Sequence, residues 1–364
     1  MPRRASRWPT GSGTLAAVVV ASSALLLAFA PARRAAEAAP GPALAAPLPE
    51  RVPPGVVLRV GDPVTRWVFE HNSWDKQLPF RIQWAEITGG PDVTEAFHAG
   101  VLDVGFGASV PPIHAVWAGI PVRIIAFREY ADRTRRHAWV FGIAPKAGIR
   151  TLADLRGKRI AFSPSQVQGQ IVIDTLKAAG IPRDQVTLVE LPSSIGGDVY
   201  TNALASGAID AAPIRNDLVA QRYVRDHGAR GARVLQHPPF RDDGGNLYVP
   251  EKVLADPGKA AALRIFIQYW GRGQAWINAH PEALARGYFA GKRGLPLADA
   301  RVLANYTANV AIPEKWDGAI AYEQAAIDTL APETKRPRLD AATLFDRRFE
   351  GIAGAAAASK GTAP

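Results

Sequence analysis

Cysteine is absent from all 364 residues. That absence excludes disulfides, thiolate metal centres, cysteine nucleophiles and lipid attachment at a cleaved bacterial signal. The seven histidines, at positions 71, 98, 114, 137, 227, 237 and 280, have no His-x-x-x-His or His-Glu-x-x-His spacing, so no metal site is expected. No Gly-x-Ser-x-Gly nucleophile elbow occurs. Gly157-Lys158 runs into Arg159 rather than a P-loop Ser or Thr, and Gly105-x-Gly107 lacks a third glycine because position 110 is Val. No catalytic residue and no cofactor is therefore assigned. Basic residues exceed acidic ones, 43 to 33, but Arg is scattered and makes no stripe or helix face, which argues against nucleic-acid binding.

Long apolar runs are missing too, with one exception at the start. Arg3, Arg4 and Arg7 precede an apolar run from Leu15 to Ala30, and Ala/Pro-rich sequence follows with small-x-small sites at Ala36-Glu37-Ala38 and Ala43-Leu44-Ala45. This layout predicts a cleaved secretory signal over residues 1–45 and a periplasmic protein that is not a lipoprotein. The run is short for a membrane anchor, which needs roughly 20 residues. Five Arg and one Glu leave with that segment, so +6 of the formal +10 charge remains. A mildly basic exported protein suits an anionic ligand, and suits simple solubility equally.

The rest divides by pattern. Residues 46–55 are a Pro-rich linker. Short apolar strands then alternate with helices: strands at 56–60, 81–87, 102–106 and 122–127, with helices at 65–76, 91–99 and 109–118 between them. The order repeats with strands at 139–144, up to 162, 186–191, 209–212 and 233–235, and helices at 168–179, 197–206 and 216–227. Such alternation predicts α/β units with mainly parallel sheets flanked by helices. Residues from Glu251 to about Phe349 read as helical, and 351–364 as a patternless, flexible tail.

Three segments carry a resemblance. TGGPDVTEAFHAGVLDVGFGASVPPIHAVWAGIPVRIIA (88–126), TLADLRGKRIAFSPSQVQGQIVIDTLKAAGI (151–181) and ALASGAIDAAPI (203–214) follow one another in the order and spacing of a known family. The chain resembles the substrate-binding proteins of ATP-driven importers for aliphatic sulfonates, taurine and nitrate. The resemblance implies a two-lobed periplasmic-binding-protein fold of type II-like form. Lobe 1 would comprise 56–142 plus 246–350 and lobe 2 143–245, with hinges near Phe141-Gly142-Ile143 and Gly244-Gly245-Asn246. It also implies a monomer that passes a small anion to an ABC permease in the inner membrane. The loops after Gly61, Phe162 and Ala212 depart from the family pattern, so the ligand is less defined than the scaffold. The alternative is a binder of a pyrimidine or thiamine precursor, or a catalytic relative on the same fold. The enzymes of that kind rely on cysteine, which this chain lacks.

In open α/β sheets ligands sit beyond the carboxyl ends of the strands, beside helix N-termini whose free N–H groups suit an anion. The loops at those positions supply the expected ligand-binding residues. Gly107 and Ser109 leave one strand for a helix. Ser163, Ser165, Gln166 and Gln170 do so in the second unit. Arg215 and Asn216 follow a third strand, and Arg215 can meet an oxyanion in bidentate fashion. Thr65 and Arg66 line the first loop.

Overall fold

The computed structural model describes residues 45–132, 137–192 and 198–359. The expected signal segment, apart from its last residue, lies outside the described residues. Strands are β1 (Val57–Gly61), β2 (Arg81–Trp84), β3 (Val104–Gly107), β4 (Val122–Tyr130), β5 (Trp139–Ile143), β6 (Arg159–Phe162), β7 (Thr187–Glu190), β8 (Ala211–Arg215), β9 (Arg233–Leu235), β10 (Gly245–Pro250) and β11 (Val310–Ala311). The α-helices are α1 (Pro63–His71), α2 (Gly90–His98), α3 (Val110–Trp117), α4 (Val167–Ala178), α5 (Asp198–Ser206), α6 (Leu218–His227), α7 (Glu251–Leu254), α8 (Pro257–Ala279), α9 (Pro281–Leu284), α10 (Leu297–Thr307), α11 (Asp317–Thr334) and α12 (Ile352–Ala358).

The strands form a six-stranded sheet, β11-β4-β10-β3-β1-β2, and a five-stranded sheet, β7-β6-β8-β5-β9. The five strands β2-β1-β3-β10-β4 of the first sheet correspond place for place to β7-β6-β8-β5-β9 of the second, as the repeat in the sequence predicts. In each set four strands run one way. The exception is the strand arriving from the other sheet: β10 is antiparallel to β3 and β4, and β5 is antiparallel to β8 and β9.

That register corrects the expected boundary. Trp139–Ile143 pairs along its whole length with β8, so Phe141, Gly142 and Ile143 lie inside the second sheet and cannot be a crossing. The chain leaves the first sheet between Tyr130 and Trp139 and returns between Leu235 and Gly245. Adjacent carboxylates on the return segment hold both ends of the outward one. Asp243 accepts from the Tyr130 amide at 2.7 Å, and Asp242 accepts from the Trp139 amide at 2.8 Å.

Local chemistry explains the element ends. Asp62 caps α1 by accepting from the Thr65 amide at 3.1 Å, with Pro63 in the first turn. The expected 65–76 helix therefore starts earlier, and it stops at His71, where Asn72 and Ser73 (φ 55°) turn the chain into a 3-10 turn over Asp75–Gln77. Gly100, at φ 68°, follows α2 in the left-handed region that glycine tolerates. The core beneath the first sheet is aromatic: Phe69, Phe97, Phe127, Tyr248, Phe266 and Trp270 are fully buried.

The expected flexible tail is also corrected. Residues Ile352–Ala358 form α12, which lies on α8. A Cβ at Gly271 would stand 2.2 Å from the Ala353 carbonyl oxygen, so the helices touch backbone to backbone. Small residues permit that approach, and they also leave no apolar stripe for a pattern search to find. The Pro-rich residues 46–55 carry no helix or strand. They are tied down where Arg348 donates to the Ala46 carbonyl and Arg264 to the Glu50 carbonyl.

Candidate functional site

The candidate residues lie near the carboxyl ends of β1, β3 and β4 in one sheet and of β6 and β8 in the other. Ser109, fully buried after β3, donates to Gln170 Oε1 on α4 at 3.4 Å, a long contact that joins the two sheets' layers. Gln170 in turn donates to Asp174 at 3.3 Å, and Asp174 accepts from Thr329 on α11 at 2.7 Å. Ser163, also buried, donates to Gln166 Oε1 at 2.7 Å. Gly169 belongs to the same turn, and a Cβ there would come within 2.4 Å of the Ser163 carbonyl oxygen. Ser165 is half-buried beside them. Gly107 is buried against Pro111 and the Tyr248 ring.

The other expected residues are placed differently. Thr65 is 3% exposed, and its hydroxyl donates to Asp62 at 2.6 Å, so it serves the cap of α1. Arg66 is held by Glu70 at 2.7 Å and Glu86 at 3.2 Å, which occupies its guanidinium on the rim. Asn216 donates its side-chain amide to the His137 carbonyl at 3.0 Å, fastening the end of β8 to the outward crossing.

Arg215 takes Asp217 at 2.6 Å, keeps 41% of its side chain exposed and lies 5.8 Å from the Trp139 ring. Burial is the largest influence and works against its charge, but Asp217 together with Tyr130 and Tyr306 raises the guanidinium above its ordinary pKa. The residue that sequence reading missed is Arg128, near the end of β4. It is half-buried, stacks 4.4 Å from the Phe106 ring centre and donates to Gln274 Oε1 of α8 at 2.7 Å. Burial pushes its pKa down and Arg215 adds to that, while Asp62 and Tyr130 oppose it. Among the described residues no carboxylate stands within ion-pair distance of Arg128. Its one side-chain hydrogen-bond partner there is a neutral amide. The signal was present in FREY (127–130), where a cation interrupts the end of a buried strand.

The helix N-terminus after β3 is a weaker anion site than expected. Pro111 and Pro112 occupy the first turn of α3 and have no N–H to offer. Near these strand ends each sheet contributes a guanidinium, Arg128 from β4 and Arg215 from β8. Phe106 and Trp139 give each of them an apolar neighbour.

Residues 82–284 match the family described as NMT1/THI5 like. A chain named as an aliphatic sulfonates-binding protein of Escherichia coli (strain K12) is 25% identical over 237 residues, 65% of this chain and 69% of that one. Among solved structures, the alkanesulfonate-binding protein SsuA from Xanthomonas axonopodis pv. citri bound to MOPS superposes with a TM-score of 0.65 at 20% identity. It covers 80% of this chain and 99% of that one. The periplasmic aliphatic sulphonate binding protein SsuA from Escherichia coli gives 0.63 at 21% identity over 79% and 91% of the two chains. The same fold also carries an enzyme: the desulfurization enzyme DSZB superposes at 0.54 with 14% identity over 81% and 98%. Likeness at these structural identities fixes the fold, which is the periplasmic-binding-protein fold the sequence predicts.

Proposed function

Because this chain belongs to the NMT1/THI5-like family, we propose that it is the solute-binding component of an ABC import system. Its cleft captures an aliphatic sulfonate or a similar small organic anion and delivers it to a permease. Arg128 carries this reading. A half-buried guanidinium without a carboxylate partner is costly, and here a second guanidinium, Arg215, repels it as well. An anion entering between them supplies the counter-charge that Arg128 lacks and adds a second partner for Arg215. A sulfonate or carboxylate suits the forked donors of arginine, and an alkyl portion can rest on Phe106 and Trp139. Gln170 and the Ser163–Gln166 pair provide neutral donors from the second lobe, with Ser109 and Gly107 opposite.

Closure would turn the lobes about the two crossings, where Asp242 and Asp243 grip Tyr130 and Trp139. A periplasmic location agrees with the predicted signal and with the Escherichia coli structure described as periplasmic. No helix among the described residues is long and apolar enough to cross a membrane. A monomer suffices, since both guanidiniums come from one chain.

The catalytic alternative has less support, because a chain without cysteine has no thiolate nucleophile to offer. Thermal-shift screening over alkanesulfonates, taurine, nitrate and pyrimidine precursors tests the proposal, since a ligand that binds only the folded state raises Tm. Stabilisation by a sulfonate that is recovered unchanged supports it. Stabilisation by a heterocycle alone, or consumption of the ligand, contradicts it.

A further inference from the structure

His137, His237 and Asp242 come together where the outward and return crossings touch. One ligand atom from each lies within 4.8 Å of the others. His237 and Asp242 are buried, and His137 is half-buried. The His237 ring is held by two oxygens at once: Nδ1 lies 2.6 Å from the Pro238 carbonyl oxygen and Nε2 lies 2.9 Å from Asp242 Oδ2.

A neutral imidazole has one N–H. A carbonyl oxygen can only accept, so Nδ1 carries that hydrogen and donates it to Pro238. Nε2 then presents a lone pair to a carboxylate oxygen. Two lone pairs at that distance repel unless a proton or a metal ion stands between them. Fixing a histidine by donating its far N–H to a backbone carbonyl is how proteins prepare the ring as a metal ligand. Asp242 Oδ2 is itself oriented by the Trp139 amide at 2.8 Å. His137 adds a second ring, 4.1 Å from His237 between centroids.

We propose that His137, His237 and Asp242 form a divalent transition-metal site that joins the two crossings. Two imidazoles and one carboxylate are donors that Zn²⁺ accepts, with a fourth position left for water. One ligand comes from the outward crossing and two from the return crossing, so a bound ion ties together the segments about which the lobes would turn. The site is separate from the arginines of the cleft, and its test does not depend on the anion reading.

The test is calorimetric titration of Zn²⁺ into the untagged, chelator-treated full-length protein, with His137→Gln and Asp242→Asn as variants. His137→Gln changes a half-buried ring whose side chain makes no hydrogen bond among the described residues, so its fold is retained. The expected result is one Zn²⁺ per chain, bound about tenfold or more weakly in each variant. Added Zn²⁺ should raise the wild-type Tm and leave the Tm of His137→Gln nearly unchanged. Absence of binding, or binding unaltered by His137→Gln, overturns the proposal and leaves a proton between His237 and Asp242.

Discussion

Arg128 and Arg215 are supplied by different sheets, yet Arg215 stands close enough to lower the pKa of the Arg128 guanidinium. Arg215 has Asp217 as a partner at 2.6 Å, whereas Arg128 has the neutral Gln274 at 2.7 Å. The pair is thus one negative charge short, and that is the role the proposed anion would fill. Removing either guanidinium should weaken a sulfonate by about 10- to 100-fold, the range for one charge-assisted hydrogen-bonding group. Isothermal titration of Arg128→Ala and Arg215→Ala checks this. Arg128→Ala should change Tm without ligand only slightly, because it relieves an uncompensated charge but also removes the hydrogen bond to buried Gln274 Oε1.

Glu323 sets a pH dependence of stability. It is fully buried, where Oε1 accepts from Asn246 at 2.8 Å and Oε2 has no partner. Burial raises its pKa from 4.5 to about 8, against the opposing hydrogen bond of Asn246. The folded state therefore holds a proton that the unfolded chain releases. The stabilisation is complete below pH 4.5 and is lost as pH rises through about 8. Its slope is roughly 1 kcal/mol per pH unit. Glu323→Gln should flatten that slope and stabilise the protein at pH 8, as read from urea denaturation at several pH values.

The seam between α8 and α12 is intolerant of added atoms. Gly271→Ala places a methyl group against the Ala353 backbone, where nothing flexible can yield. A loss of about 1–3 kcal/mol is expected from overpacking. Chemical denaturation checks the cost. A tail that were mobile would accept alanine with no loss.

The crossings provide a further check. Asp243 holds the Tyr130 amide and, at 3.3 Å, Arg241, which also pairs with Glu129 at 2.7 Å. Asp243→Ala leaves that amide unpaired and should cost about 1–3 kcal/mol. Ligand affinity should move as well, because this residue sets the end of β4 beside Arg128. Tm and calorimetry on the same variant separate the two effects.

Much of the scaffold was legible in the sequence because period and punctuation are local properties. Strand alternation, glycine after helices and proline in first turns placed β1 to β9 within a few residues. Ser109, Gln170 and Arg215 were singled out by one rule about the carboxyl ends of strands, and the structure places all three near those ends. What escaped depends on pairing over distance. Trp139–Ile143 reads as a strand whichever sheet it joins, and only its hydrogen bonds to β8 decide the matter. Arg128 lies one residue past the strand read at 122–127, and nothing near it in sequence reveals Arg215. His137 and His237 are a hundred residues apart, beyond any ligand-spacing pattern. The α12 helix was hidden because its partner surface is the glycine face of α8, and such contacts leave no hydrophobic period.

The central claim is that two guanidiniums from two lobes trap one organic anion. It is tested most directly by titrating a short alkanesulfonate, and the uncharged sulfonamide of the same shape, into the wild-type protein and the Arg128→Gln/Arg215→Gln double variant. The account predicts one sulfonate bound per wild-type chain, no measurable binding of the sulfonamide, and loss of sulfonate binding in the double variant. Equal affinity for both compounds, or sulfonate binding that survives the loss of both arginines, would contradict it.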